Sequence, residues 1–139
     1  MQGSEGSRVL IDTYAWVEYF RGTEEGELAR RYIESDREVL TPTIVLAELS
    51  DKYRRSGKAE VWQTERRQAV EILSRIVGLS ADSADEAGAI KTEMRRKQRD
   101  FPLADGTILA IARERGARVL TGDRHLRTLP EVIDLKGLP

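Results

Sequence analysis

The sequence predicts an α/β fold with a mainly parallel sheet, and three observations carry that prediction. Val9-Leu10-Ile11 is a short aliphatic run of the kind that forms a fully buried strand. Arg118-Val119-Leu120-Thr121 is a second such run, closed by Gly122-Asp123. Between them lie segments with apolar residues at helical spacing, the alternation expected of strand–helix–strand units. Right-handed crossovers then place helices on both faces.

The elements follow in order along the chain. After Arg8 to Ile11 the apolar positions from Tyr14 to Phe20 recur at helical spacing, and Arg21-Gly22 stops that helix. A second helix is predicted over residues 24–35, and Glu38-Val39-Leu40 is a candidate short strand. Thr41-Pro42 reads as a cap followed by proline at the first helical position, opening a helix to Arg55 that Ser56-Gly57 breaks. A long helix is predicted over residues 59–77, with a brief strand at Val77-Gly78-Leu79. Residues 82–99 read as helical with Asp82 or Ser83 as the cap, and Leu103 to Arg115 as a helix ended by Gly116. Glu131 to Asp134 is the last predicted strand.

A length of 139 residues fits one domain, predicted over 1–139 with a core at about 8–135. Cysteine is absent, so disulfides and thiolate metal sites are excluded. No apolar run nears the roughly 20 residues that cross a bilayer. The start, Met1-Gln2-Gly3-Ser4-Glu5-Gly6-Ser7, lacks the basic and apolar regions of a signal peptide, so a cytoplasmic protein is expected. Charged residues make up 34% and asparagine is absent, a composition resembling that of thermophile proteins. The net charge of -1 supplies no overall attraction to nucleic acid. Arginines cluster at 30–31, 54–55, 66–67 and 95–96, which suits phosphate but equally suits helix faces paired with neighbouring glutamates.

Four carboxylates stand at element ends or apolar borders. Asp12 follows Val9-Leu10-Ile11, where it also fits a helix cap, and Asp123 follows Val119 to Gly122, where it also fits a turn. Glu48 borders the core-facing stripe Val45, Leu46, Leu49 and Tyr53; a carboxylate there needs a cation or hydrogen-bond donors. Asp105 falls in the first turn of an apolar helix, where the dipole alone accounts for it. Its neighbour Gly106 costs about 1 kcal/mol in a helix, a reason to expect something close to the backbone. In open α/β sheets ligands bind beyond the carboxyl ends of strands, where Asp12 and Asp123 are placed. Carboxylates gathered there repel unless a cation neutralises them, and an all-oxygen set selects Mg²⁺ or Mn²⁺. From the residues alone this supports a hard-metal acidic site and no particular substrate.

Taken together, these segments resemble the PIN-domain family, particularly the VapC-type toxins of toxin–antitoxin pairs. The resemblance rests on Val9 to Thr13 with Trp16 to Gly22, on Thr43 to Leu49, on Leu103-Ala104-Asp105 with Ile108 and Ala112, and on Val119 to Asp123. It implies a three-layer α/β/α sandwich and Mg²⁺ or Mn²⁺ (one or two ions) held by Asp12, Glu48, Asp105 and Asp123. It also implies endoribonuclease action on RNA by a metal-activated water, with the hydroxyls of Thr13 and Thr121 supporting the site. A cognate antitoxin and a homodimer are the partners it implies. Tyr14 departs from the family pattern, where serine or asparagine is common; it narrows the pocket, stacks on a base, or packs beneath the sheet edge. His125 is expected in a structural or surface role, and Trp16 and Trp62 in the core or a dimer interface. Two alternatives stay open: the same site serving RNA maturation or a DNA substrate, and a catalytically silent binding module whose acids are neutralised by arginines.

Overall fold

The structure is a computed structural model that describes residues 7–137; the residues read above as lacking a signal peptide lie, up to Gly6, outside them. Five strands form one parallel sheet: β1 (Arg8–Ile11), β2 (Glu38–Pro42), β3 (Arg75–Val77), β4 (Arg118–Thr121) and β5 (Val132–Asp134), in the order β3-β2-β1-β4-β5. Register pairs Leu10 with Leu40 on one side and with Val119 on the other, so β1 is central. Val9, Leu10, Ile11, Val119 and Leu120 are fully buried, which explains their unbroken aliphatic pattern.

The helices are α1 (Thr13–Arg21), α2 (Glu24–Ile33), α3 (Thr43–Arg55), α4 (Ala59–Val61), α5 (Arg67–Leu73), α6 (Ala81–Met94) and α7 (Leu103–Arg115), lying on both sides of the sheet. The chain moves from β1 outward to β2 and β3, then returns past β1 to β4. Right-handed crossovers therefore put the β3–β4 connection, α6 and α7, on the face opposite α1 and α2. The direction reverses between β1 and β4, and the crevice at their carboxyl ends is the topological switch point.

Several boundaries differ from the sequence expectation. Thr41 is not a helix cap: β2 extends through Pro42, and the fully buried Thr41 hydroxyl accepts from Trp16 Nε1 at 3.1 Å and bonds Ser74 Oγ at 2.7 Å. The helix predicted over residues 59–77 is α4, a π-helical turn at Trp62–Arg66, and α5; Ser74 then turns extended. Arg75–Val77 leave the helix because β2 offers them a ladder, so β3 precedes the predicted Val77-Gly78-Leu79. The cap of α6 is Ser80, whose hydroxyl accepts from the Ser83 backbone N–H while Ser83 Oγ accepts from the Ser80 N–H. That helix ends at Met94 instead of Arg99. Trp16 and Trp62 are both core residues.

Candidate active site

Asp12 and Asp123 reach the crevice because strands β1 and β4 lie side by side and end at one level. Asp12 caps α1: its Oδ1 accepts from the Ala15 N–H at 2.9 Å, and Thr121 hydrogen-bonds the same carboxyl. The expected helix cap is thus realised, at the carboxyl end of β1. Asp12 is only 2% exposed, and burial raises its pKa to about 7 despite those bonds; the charges of Asp123 and Glu48 add to the rise.

Asp105 enters from the first turn of α7, buried beside Asp123. Burial, then the charges of Asp123, Asp12 and Glu48, push its carboxyl up to about 8. Its Oδ2 is a buried acceptor without a hydrogen-bond partner. Such an atom is costly in a protein interior and marks a place for a cation or a proton. Gly106 does have a close neighbour: a Cβ there would lie 2.8 Å from the Ala87 carbonyl oxygen. What approaches is the backbone of α6, which lets α7 sit deep enough to deliver Asp105.

Glu48 comes from the second turn of α3, half-buried, and its Oε1 accepts from Thr13 Oγ1 at 2.5 Å. Thr121 Oγ1 accepts from the Asp123 N–H at 2.9 Å, holding the turn after β4. The two threonines therefore each contact a carboxylate-bearing segment. The charges of Asp123 and Glu48 act on Asp12, and those of Asp123, Asp12 and Glu48 on Asp105. Among the described residues the acids brought to ligand distance of one another are Asp105 and Asp123, without Asp12 and Glu48.

His125 is where sequence reasoning fell short. Its Nδ1 lies 3.1 Å from Asp123 Oδ1 and 3.6 Å from Asp105 Oδ2, and its ring is 14% exposed, so of the expected structural or surface role the surface half does not hold. One ligand atom each from Asp105, Asp123 and His125 lie within 4.8 Å of one another. Nε2 sits 3.3 Å from Asp100 Oδ2 without a hydrogen bond, and the ring meets Phe101 edge-on at 6.0 Å. The Gln98 amide donates to the His125 carbonyl at 2.9 Å. The spacing Asp123-x-His125 was a signal, since the Asp123 carboxylate accepts from the His125 N–H in a tight turn.

These residues fit a hard divalent cation. The buried Asp105 oxygen lacks a partner, and burial together with the charges of neighbouring acids raises the pKa of Asp12 and Asp105 well above the ordinary carboxylate range. Among the described residues no lysine or arginine forms an ion pair with Asp12, Glu48, Asp105 or Asp123; Arg124, nearby in sequence, pairs with Asp100. His125 adds a nitrogen to the oxygen set, so the donors are not oxygen alone.

Tyr14 packs against the site rather than opening into it. Its ring lies over Gly122, and its hydroxyl donates to Glu25 Oε1 at 2.6 Å. Lys136 Nζ binds Glu25 Oε2 at 3.2 Å and stands 5.4 Å over the Tyr14 ring.

Comparison with known proteins decides the family, because the PIN domain family model matches residues 9–132, most of the chain. The chain belongs to the PIN-domain family. PIN domains are nucleases. No individually curated protein matches this PIN domain. Its fold is similar to a toxin–antitoxin complex from Klebsiella pneumoniae, with TM-score 0.72 and 20% identity over 91% of this chain and 97% of that one. DNA-bound VapBC from Salmonella typhimurium gives TM-score 0.69 and 21% identity over 92% and 98%. A Mycobacterium tuberculosis toxin described as Sarcin-Ricin loop cleaving gives 0.61 and 22% over 82% and 87%. At these identities the likeness concerns the fold. No helix among the described residues of this PIN domain is long and apolar enough to cross a membrane.

Proposed function

We propose that this PIN domain is a divalent-metal-dependent endoribonuclease and the toxin of a VapBC-type pair. The observation that carries the chemistry is the partnerless, buried Oδ2 of Asp105 beside three further carboxylates, none of them paired with a lysine or arginine among the described residues. The same observation disfavours the silent module with arginine-neutralised acids. Asp12, Glu48, Asp105 and Asp123 would hold Mg²⁺ or Mn²⁺, with His125 at the edge of the set. When bound, such an ion supplies a Lewis acid for the phosphodiester and for an attacking water.

The remaining work belongs to the chain's own residues. The Ala15 N–H and Thr121 hydroxyl aim Asp12, and Thr13 aims Glu48, so the oxygens are oriented before substrate arrives. Burial favours the protonated forms of Asp105 and Asp12, so these carboxyls would give up protons on holding a cation.

The toxin assignment draws on the folds this chain resembles, several of which are toxin–antitoxin complexes. A cognate antitoxin and a homodimer belong to this reading, as does RNA as substrate. The test is incubation of the purified protein with total RNA in Mg²⁺, Mn²⁺ or chelator, followed by mapping of the cut ends. Discrete cuts that require metal support the proposal, and an RNA pool unchanged in both metals sinks it. Growth arrest on expression, relieved by a neighbouring small gene, separates a toxin from an RNA-maturation enzyme.

A further inference from the structure

One arginine of each cluster in the sequence is neutralised by an acid three or four residues away. Arg30 pairs with Glu27 and Glu34, Arg55 with Asp51, Arg67 with Glu71 and Arg96 with Glu93, so each cluster is in part an ion-paired face. A different set of cations converges in space. A pocket of about 480 Å³ between the C-terminal halves of α1 and α3 and the π-helical turn is lined by Arg21, Lys52, Lys58 and Arg66, with no carboxylate on its wall.

Lys52 and Lys58 form no ion pair among the described residues. Arg66 sits over the rings of Phe20 and Tyr53 at 5.0 and 5.1 Å and donates to the Tyr53 hydroxyl at 3.1 Å, again without a carboxylate. Only Arg21 is paired, with Glu18 at 3.1 Å. Arg66 is held in place by aromatic packing, so part of its ordering cost is met before any ligand binds.

The pocket lies on the same seam of α1 and α3 as the Thr13–Glu48 pair. Thr13 and Glu48, joined by a hydrogen bond, begin two stripes at four-residue spacing: Thr13, Val17, Arg21 on α1, and Glu48, Lys52, Ser56 on α3. Lys52 is therefore one turn, about 6 Å, beyond Glu48 along its helix. A polyanion with one phosphate at the acids is led by this seam onto the cations.

We infer that this pocket is a second phosphate-binding subsite that grips the backbone of the RNA flanking the cut. The inference rests on the ribonuclease reading above. The cations supply the attraction that a net charge of -1 withholds, and they supply it locally. They carry no base recognition, so the subsite tightens binding to single-stranded RNA of any sequence.

The experiment is fluorescence anisotropy of a labelled single-stranded RNA over a salt series in chelator, with metal-dependent cleavage of the same RNA by the unaltered protein measured in parallel. Lys52→Ala/Lys58→Ala is expected to weaken binding about tenfold at low salt. It should also flatten the log–log salt slope by about 1.4, at about 0.7 for each single-strand phosphate that a lysine no longer neutralises. Lys52→Arg/Lys58→Arg should keep the slope, and Lys91→Ala/Lys97→Ala on and just after α6 should leave it unaltered. An unchanged slope in the first variant overturns the subsite while the unaltered protein's cleavage still upholds the ribonuclease. An equal loss in the α6 variant does the same, because it would make the attraction a property of total charge. Intact RNA binding with lost affinity for a polyglutamate peptide would reassign the pocket to an acidic protein segment. Failure of the unaltered protein to bind or cut RNA would overturn both readings.

Discussion

The ring of Tyr14 rests on Gly122: a Cβ at Gly122 would stand 2.3 Å from Tyr14 Cε1 and 2.7 Å from Cζ. No Cβ tolerates such a distance, so the residue between Thr121 and Asp123 has to lack a side chain while this tyrosine stays in place. The packing ties α1 to the turn carrying one of the site acids, and Glu25 and Lys136 pin the tyrosine from the other side.

Gly122→Ala is accordingly expected to destabilise the protein by about 1–3 kcal/mol, the range for overpacking a filled interior. Metal-dependent cleavage should fall with it, because Asp123 moves. In the double variant Tyr14→Ala/Gly122→Ala the added methyl meets vacated space, so the loss should be smaller than the sum of the two single changes. Thermal unfolding of all four proteins checks this, and strict additivity would show that the tyrosine ring is not what excludes a side chain.

Asp105→Asn is expected to abolish cleavage while leaving the metal-free protein folded. At about pH 8 its melting temperature should rise above that of the unaltered protein, since an amide removes one of four mutually repelling acids. The stabilisation by Mn²⁺ should disappear. A variant that cleaves normally would remove Asp105 from the metal set.

The pH dependence follows from the same burial. In the unfolded chain Asp12 and Asp105 release their protons near 3.8; folded, they hold them to about 7 and about 8. Across that interval the native state binds more protons than the unfolded one, so metal-free stability declines as pH rises from about 4 to about 8. A bound divalent ion offsets the decline. The melting temperature gained on adding Mn²⁺ should therefore be larger at about pH 8 than at about pH 5. Calorimetric scans at both pH values decide it, and an equal gain would contradict the burial of these acids.

Thr13→Ala should lower cleavage about tenfold, which corresponds to about 1.4 kcal/mol at the transition state, by releasing Glu48 from its 2.5 Å hydrogen bond. Thr13→Ser keeps the hydroxyl and should recover most of the activity. If serine does no better than alanine, the methyl packing of Thr13 matters more than its hydrogen bond.

The strands and helices were legible because burial writes itself into apolar periodicity. Val9 to Ile11 and Val119 to Leu120 are aliphatic without interruption because both their faces are covered, and Leu103–Arg115 was read to its observed ends. Asp12 and Asp123 were legible for a related reason: a charged residue directly after such a strand sits at the sheet's carboxyl edge whatever else the chain does.

Local pattern could not reveal what depends on partners distant in sequence. Thr41-Pro42 is a sound helix start by local rules, yet Trp16 and Ser74 claim the threonine hydroxyl and the sheet claims its backbone. His125 looked peripheral until α7 brought Asp105 within 3.6 Å of it. Gly106 and Gly122 are explained only by Ala87 and Tyr14, and the isolated cations Lys52 and Lys58 meet Arg21 and Arg66 only across α1 and α3. The sequence by itself determined which segments bury and where carboxylates end strands, since solvation acts residue by residue. The tertiary structure decided which charges go unpaired and which backbones touch, since those are distances between parts of the chain that no local rule relates.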